Sequence, residues 1–123
     1  MKKIIYYKGT FVERKELNIM YVVVRILKVQ KGFQEKMVER FLSKSVMTNS
    51  PGFIKAELLF DKKNPEFDLY RHMIYWKDKK AFFVWEGSPE HIALHRDKNS
   101  GHHQKPEEVI EVTRETYELI ASK

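Results

Sequence analysis

The sequence predicts an α+β fold of the ferredoxin-like type, with the order strand–helix–strand–strand–helix–strand. Four segments are rich in β-branched and aromatic residues, as strands are. Other segments repeat apolar residues at helical spacing, and polar turns separate the elements. The chain has 123 residues, of which 42% are hydrophobic, enough for one domain with one packed core. Together these observations indicate helices packed on one four-stranded sheet.

The first strand and the first helix have the clearest patterns. Residues 19–29 are apolar on both faces, which indicates a strand buried on two sides. A turn at residues 30–32 follows, and a polar loop at residues 49–52 ends the unit. Between them, apolar residues recur as one stripe of an amphipathic helix: Phe33, Met37, Val38, Phe41 and Leu42.

Three further strands are predicted from composition and turn signals. Residues 53–60 and 67–76 form the second and third strands, joined by a turn at residues 61–65. The fourth strand spans residues 109–120, after a hydrophilic loop at residues 97–106. The sheet therefore has four strands.

Two capped helices are predicted between the third and fourth strands. Asp78 is placed to cap the first of them, and Gly87 ends it. Its buried side holds Ala81, Phe82 and Trp85. Ser88 caps the second, which has Pro89 at its first position. This second helix carries His91, Ile92 and His95.

A homodimer is predicted from the two-sided first strand. Helices on one face of the sheet leave the other face uncovered, and that face is apolar at the first strand. A two-fold homodimer, packed sheet against sheet, would cover it and form a dimeric α+β barrel. The added burial would stabilise a small domain, which buries only about two-thirds of its unfolded surface on its own.

Composition excludes several classes of function. The chain has no cysteine, which excludes disulfides, a thiolate nucleophile and cysteine-ligated metal or haem. The net charge of +6 favours an anionic partner, but the basic residues are mixed with acids and no nucleic-acid-binding motif is present. No apolar run approaches the roughly 20 residues that span a membrane, and the apolar start is too short for a signal peptide. We therefore expect a soluble, cytoplasmic protein with no nucleic-acid or membrane partner.

The segment from Tyr75 to His95 holds the most informative motif. A tryptophan ends the third strand, Trp85 lies on an aromatic-rich helix, Ser88-Pro89 follows, and His95 lies ten residues after Trp85. In this order and spacing, over residues 20–120, the chain resembles the haem-degrading monooxygenases of the IsdG type. These belong to the antibiotic biosynthesis monooxygenase superfamily, and the HmoA-like branch is the most similar. Two earlier segments also match: Gly32 through Phe41, and Pro51-Gly52-Phe53.

The resemblance implies a reaction and two site residues. Haem would be both substrate and oxygen-activating cofactor, O2 would be consumed, and an external reductase would donate electrons. His95 is implied to be the axial ligand of the haem iron, a role that suits a neutral imidazole. His91 lies one turn earlier on the same helix face and is the weaker candidate. Trp85 is implied to press on the haem face and distort the ring; the alternative is that it only packs in the core.

Arg25 marks a departure from the family pattern. The family has an asparagine on the first strand, and counting back from Gly32 places Arg25 there; a shift of one residue gives Val24. An arginine on an apolar strand face needs a partner. A haem propionate, a bound oxygen species or an internal carboxylate could serve, so Arg25 is a candidate catalytic residue. Arg96 begins the basic loop after the ligand helix and is predicted to pair with a propionate.

Two other functions remain open at this point. One is a cofactor-free monooxygenase acting on a polycyclic aromatic substrate in the same pocket, without His95 as a ligand. The other is a haem-binding protein without enzymatic activity, suggested by the missing asparagine. The sequence contains no catalytic triad, phosphate-binding loop or paired carboxylates that would indicate a hydrolase or a kinase.

Residues 1–19 are predicted to be an N-terminal extension to a domain at residues 20–120. Met20 could serve as an initiator, because residues 14–16 can be encoded by a purine-rich ribosome-binding sequence at a workable spacing. We therefore expect residues 1–19 to arise from a mis-assigned start. The alternative is that residues 4–7 form a strand that covers a sheet edge.

Overall fold

The computed structural model of the protein describes residues 4–7, 10–13, 19–96 and 105–123. Its elements are β1 (Ile4–Tyr7), β2 (Thr10–Glu13), β3 (Met20–Val29), α1 (Gln34–Leu42), a 3-10 helix (Val46–Asn49), β4 (Phe53–Asp61), β5 (Asp68–Trp76), α2 (Lys79–Glu86), α3 (Pro89–Arg96) and β6 (Val109–Leu119). From β3 onward this is the predicted order except for the 3-10 helix, which was not predicted, and the other bounds agree with the predicted bounds to within one or two residues.

Strands β3 to β6 form one antiparallel sheet in the order β4-β5-β3-β6. The central strand, β3, pairs with β5 from Tyr21–Trp76 to Val29–Asp68. It pairs with β6 along its other edge, with a register shift at Lys28/Val29. The predicted ferredoxin-like α+β fold is confirmed.

The helices cover one face of this sheet and form two separate apolar clusters with it. The α2 cluster comprises Tyr21, Val23, Ile74, Trp76, Phe82 and Trp85. The α1 cluster comprises Leu27, Val29, Met37, Tyr70 and Val109. On β3, both clusters use alternate residues of the same face, so they lie at opposite ends of the strand.

Helix α1 buries a narrower stripe than its sequence predicts. Met37 is buried, but Val38 is 40% exposed and Leu42 is 73% exposed. The reason is angular: at about 100° per residue, Val38 lies about 100° and Leu42 about 140° around the helix from Met37. Phe33 and Phe41 lie only about 40° to either side of Met37, and the apolar contact of α1 with the sheet follows that line.

The helix-free face of the sheet is less open than predicted along β3. Val22 and Val24 are 4% and 3% exposed in the single chain. The apolar surface of this face lies further out, at Leu59 on β4 and Tyr117 on β6, which are 49% and 51% exposed. Burial of the two valines removes part of the reason for which a dimer was predicted.

Two buried carboxylates are paired with basic residues near α1. Arg40 Nη2 lies 2.5 Å from Glu108 Oε1, and Lys36 Nζ lies 3.5 Å from the same oxygen. The hydrogen bond from Arg40 is the main cause that lowers the pKa of Glu108. Lys31 Nζ similarly lies 2.9 Å from Asp68 Oδ1. These pairs compensate the burial of both carboxylates.

The N-terminal segment contains a hairpin. Strands β1 and β2 pair with each other, antiparallel, as a separate two-stranded sheet. Residues 4–7 therefore form a strand, as the alternative prediction had it, but the strand pairs with β2 rather than with an edge of the larger sheet. The loop predicted at residues 97–106 lies outside the described residues as far as residue 104. None of the described helices is long and apolar enough to cross a membrane.

Candidate functional site

A cleft separates the two apolar clusters at the middle of the sheet. Arg25 lies on the helix-covered face of β3, between Val23 of the α2 cluster and Leu27 of the α1 cluster. Its neighbours along this face are buried, whereas Arg25 is exposed. An exposed side chain at the centre of a helix-covered face means that α1 and α2 leave a gap between them.

A row of side chains crosses the sheet at the bottom of this gap. Leu58, His72, Arg25 and Arg114 are direct register partners on the four adjacent strands, so their side chains share a face. We name Arg25, His72 and Arg114 the basic floor. The ring of Phe41, on α1, lies edge-to-face with His72 at a centroid distance of 5.1 Å.

Helix α2 holds one end of the basic floor. Arg114 Nη1 lies 3.4 Å from Glu86 Oε2. The guanidinium carbon of Arg114 lies 5.6 Å from the centre of the Phe82 ring. Arg25 makes no hydrogen bond or ion pair within residues 19–96 and 105–123.

The charges of the basic floor act on one another. Burial lowers the pKa of His72 to about 4, and the positive charge of Arg25 contributes. His72 is therefore neutral at neutral pH. Although Arg25 is exposed, partial withdrawal from water lowers its pKa, and the charge of Arg114 lowers it further. With Glu86 included, Arg25 and Arg114 leave the cleft with a net positive charge.

A second group of side chains is built on α3. Ser88 caps the helix by accepting from the backbone N–H of His91 at 3.2 Å. His91 Nδ1 lies 2.8 Å from the carbonyl oxygen of Glu86, which can only accept, so Nδ1 carries the proton. His91 Nε2 lies 3.0 Å from His95 Nε2, within hydrogen-bond distance. The ring of Trp85 lies 4.9 Å from that of His91, centroid to centroid.

The four predicted site residues fall into different parts of this arrangement. Trp85 is 7% exposed and belongs to the α2 cluster, with His91 as a ring neighbour. His95 is exposed on α3, one turn from His91. Arg25 belongs to the basic floor. Arg96 is the exposed last residue of α3, and no hydrogen bond or ion pair among the described residues joins it to the other three.

Glu86 connects the two groups and was not predicted. Its backbone carbonyl accepts from His91, and its side chain pairs with Arg114. His72 and Arg114 were also missed as site residues. The sequence does indicate His72, because it is the polar residue among the alternate positions that otherwise hold Tyr70, Ile74 and Trp76 on one face of β5. Arg114 had no such signal, since its role depends on the register between β3 and β6.

The four-stranded antiparallel sheet with helices on one face places the protein in the ferredoxin-like α+β class. Residues 20–97 match the family model described as antibiotic biosynthesis monooxygenase. The chain is also 30% identical over 104 residues to "Heme-degrading monooxygenase HmoA" of Bacillus subtilis, covering 85% of this chain and 94% of that protein. The chain therefore belongs to the antibiotic biosynthesis monooxygenase family, as the resemblance predicted, and is an oxidoreductase.

Solved structures agree with this assignment. A Bacillus cereus protein described as an antibiotic biosynthesis monooxygenase superposes with a TM-score of 0.70 at 27% identity, covering 85% of this chain and 97% of that one. A mutant of MhuD, with two manganese protoporphyrin IX molecules bound per active site, superposes with a TM-score of 0.63 at 25% identity. That match covers 84% of this chain and 97% of that one. A structure described as the heme-degrader MhuD from Mycobacterium tuberculosis superposes with a TM-score of 0.62 at 24% identity, covering 84% of this chain and 98% of that one, and shows the same fold.

Proposed function

We propose that the protein is a haem-degrading monooxygenase, which cleaves haem oxidatively with O2 and electrons from an external reductant and releases the iron. The observation that carries the proposal is the exposed imidazole of His95, at the position that the family resemblance assigns to the axial ligand; its ring lies against that of His91, which in turn lies against Trp85. Relatives named as heme-degrading monooxygenases support it.

The residues of the cleft and of α3 together match haem in chemical type. Haem needs an axial nitrogen donor, apolar surface for the macrocycle and cations for its propionates. His95 supplies the donor, Phe41 supplies apolar surface, and Arg25 and Arg96 supply positive charge. When bound, haem supplies the oxygen chemistry, and the protein's part is to hold and orient the ring.

His95 and Trp85 have separate roles in this proposal. His95 binds the iron; coordination through Nε2 would replace its 3.0 Å hydrogen bond to His91. Trp85 is buried by the α2 cluster, so its ring is held rigidly. A rigid indole beside the bound ring would press on it and favour a non-planar macrocycle.

Haemin titration of the protein tests the proposal. We expect a Soret band that saturates at one haem per chain, and its decay when ascorbate is added in the presence of catalase. His95→Ala should abolish or greatly weaken the five-coordinate spectrum, since no cysteine is available as a replacement thiolate ligand. His91→Ala is the matched control on the same helix face and should retain the spectrum.

The same two spectra separate the alternatives. A cofactor-free monooxygenase would give no saturating Soret band, which would refute the proposed function. A band that persists unchanged with ascorbate would indicate a haem-binding protein without this activity. An unaltered spectrum in His95→Ala would remove His95 as the ligand.

The proposal includes two protein partners. One is a second copy of the chain, packed against the helix-free face, where Leu59 and Tyr117 are exposed. The other is an electron-donating reductase. Light scattering at micromolar concentration tests the first: twice the 14.8 kDa chain mass is expected, and a stable monomer would contradict it.

A further inference from the structure

We propose that the basic floor, formed by Arg25 with Arg114 and His72, binds one carboxylate group. The part of this inference that concerns a carboxylate on haem rests on the proposed function; the binding of a free carboxylate does not. The occupant would lie on the sheet at the bottom of the cleft, between the two apolar clusters.

The placement of the two arginines is the first argument. Arg25 and Arg114 are direct partners on neighbouring antiparallel strands, with both side chains on the helix-covered face. Like charges directly opposite each other destabilise a sheet. Arg114 is compensated by Glu86, but Arg25 has no acidic partner among the described residues. A bound anion would supply the missing partner.

The charge balance sets the size of the anion's charge. At neutral pH Arg25 and Arg114 each contribute one positive charge, Glu86 one negative charge, and His72 none. The remaining positive charge is neutralised by a single monoanion. A guanidinium presents a planar fork of N–H donors that matches a carboxylate in two parallel hydrogen bonds.

The neighbours of the basic floor shape the site further. Neutral His72 keeps one ring N–H that can donate to a carboxylate oxygen. Phe41 lies against this ring from α1, and Leu58 is its partner on β4. The site therefore combines a fixed cation, a neutral donor and apolar edges, which suits a carboxylate on an apolar molecule better than a strongly hydrated inorganic ion.

Such a carboxylate has two sources. It is either a propionate of the porphyrin substrate or a small free carboxylate that binds beside it. Both sources present a carboxylate to Arg25, so the proposed contact is the same for either. The experiment has one arm for each source.

The first arm uses the haem-free protein and acetate. The C–H proton signals of the His72 ring are followed by NMR during an acetate titration at constant ionic strength. We expect a saturable shift, and a rise in the pKa of His72 on saturation, because acetate offsets the charge of Arg25. Arg25→Leu should weaken acetate binding about tenfold or more, the usual effect of losing a charged hydrogen bond.

The control for this arm is Arg71→Leu. Arg71 is exposed on β5 next to His72, but its side chain points to the helix-free face. This variant removes one positive charge without touching the cleft, so its acetate affinity should equal that of the wild type. Arg25→Gln, which retains a polar side chain, gives the same test should Arg25→Leu fail to fold.

Three results would overturn the inference: no saturable shift in the wild type, equal acetate affinity in the Arg25 variants, or equal weakening by Arg71→Leu. Because no haem is present, these results leave the proposed function untouched. Conversely, the absence of a Soret band with haemin would refute the proposed function and leave the acetate result standing.

The second arm compares haemin with its dimethyl ester, in which both propionates are uncharged. If a propionate occupies the basic floor, acetate competes with haemin, and esterification weakens binding to the wild type more than to Arg25→Leu. If a free carboxylate occupies it, haemin and acetate bind together, and esterification affects both proteins equally. Either result identifies the source.

Discussion

Replacing His72 with leucine should remove a specific part of the acid sensitivity of folding. His72 has a pKa of about 4 in the folded chain, against 6.5 for an ordinary histidine. Between these values the unfolded chain binds more protons than the folded chain, so acid favours unfolding. The stability that neutral His72 gives to the folded chain is therefore fully present above pH 6.5 and is lost as the pH falls from 6.5 to about 4. His72→Leu has no titratable side chain at this position, so its free energy of unfolding should not show this loss.

The magnitude follows from the shift. The fall from 6.5 to about 4, at about 1.4 kcal/mol per pKa unit, corresponds to roughly 3.5 kcal/mol as an upper bound. His72 is only half-buried in an open cleft, and solvent screens its interaction with Arg25. We therefore expect about 1.5 kcal/mol of extra destabilisation of the wild type between about pH 7 and about pH 4.

Urea unfolding of both proteins at several pH values measures this difference. Other acid-sensitive groups, such as the Glu108 carboxylate, are present in both proteins and cancel in the comparison. The free energy of unfolding of the wild type should fall relative to that of His72→Leu as the pH is lowered. If the difference between the two proteins is the same at every pH, His72 has an ordinary pKa and the electrostatic account of the basic floor is wrong.

Three further predictions concern other parts of the chain. Glu108→Gln should lower the free energy of unfolding by about 1–2 kcal/mol at neutral pH, because it weakens a charged hydrogen bond to Arg40. This difference from the wild type should shrink in acid, where the pH falls through the lowered pKa of Glu108. Urea unfolding at neutral and at acidic pH measures it. Trp85→Phe should still bind haem but degrade it more slowly in the ascorbate assay, since a smaller ring presses less on the porphyrin; equal rates would mean that Trp85 only packs in the core. A chain beginning at Met20 should express, dimerise and bind haem like the full chain, since among the described strands β1 and β2 pair with each other and not with the four-stranded sheet. Loss of solubility, or a native peptide that starts before Met20 in mass spectrometry, would count against the mis-assigned start.

The fold could be predicted because its signals are short-range. Asp78 accepts from the backbone N–H of Ala81 at 2.8 Å and caps α2 as predicted. Ser88 caps α3 in the same way, and β3 begins and ends within one residue of its predicted bounds. Caps, turns and apolar periodicity each depend on residues a few positions apart, so one sequence contains them in full.

The site could be predicted only in part, because its remaining residues meet through strand register. His95 and Trp85 were proposed from a local motif, and Arg25 from counting along one strand. The partners of Arg25, however, are His72, 47 positions later, and Arg114, 89 positions later. A shift of one residue in either pairing would turn these side chains to the other face of the sheet. No local pattern fixes that choice, so the basic floor became visible only in the folded chain.

The position of the basic floor is itself an argument for function. The centre of the central strand is where a small domain gains most from apolar burial, yet this chain places charge there and divides its core into two clusters. A leucine at Arg25 would join the clusters and remove the repulsion with Arg114, so on stability alone the arginine is the poorer residue. Sites where a sequence departs from the locally stable choice are where function is to be expected. In this chain that departure is Arg25, the residue that the resemblance aligns with the family's asparagine, which is why we assign the carboxylate site to Arg25 rather than to the more numerous basic residues of the surface.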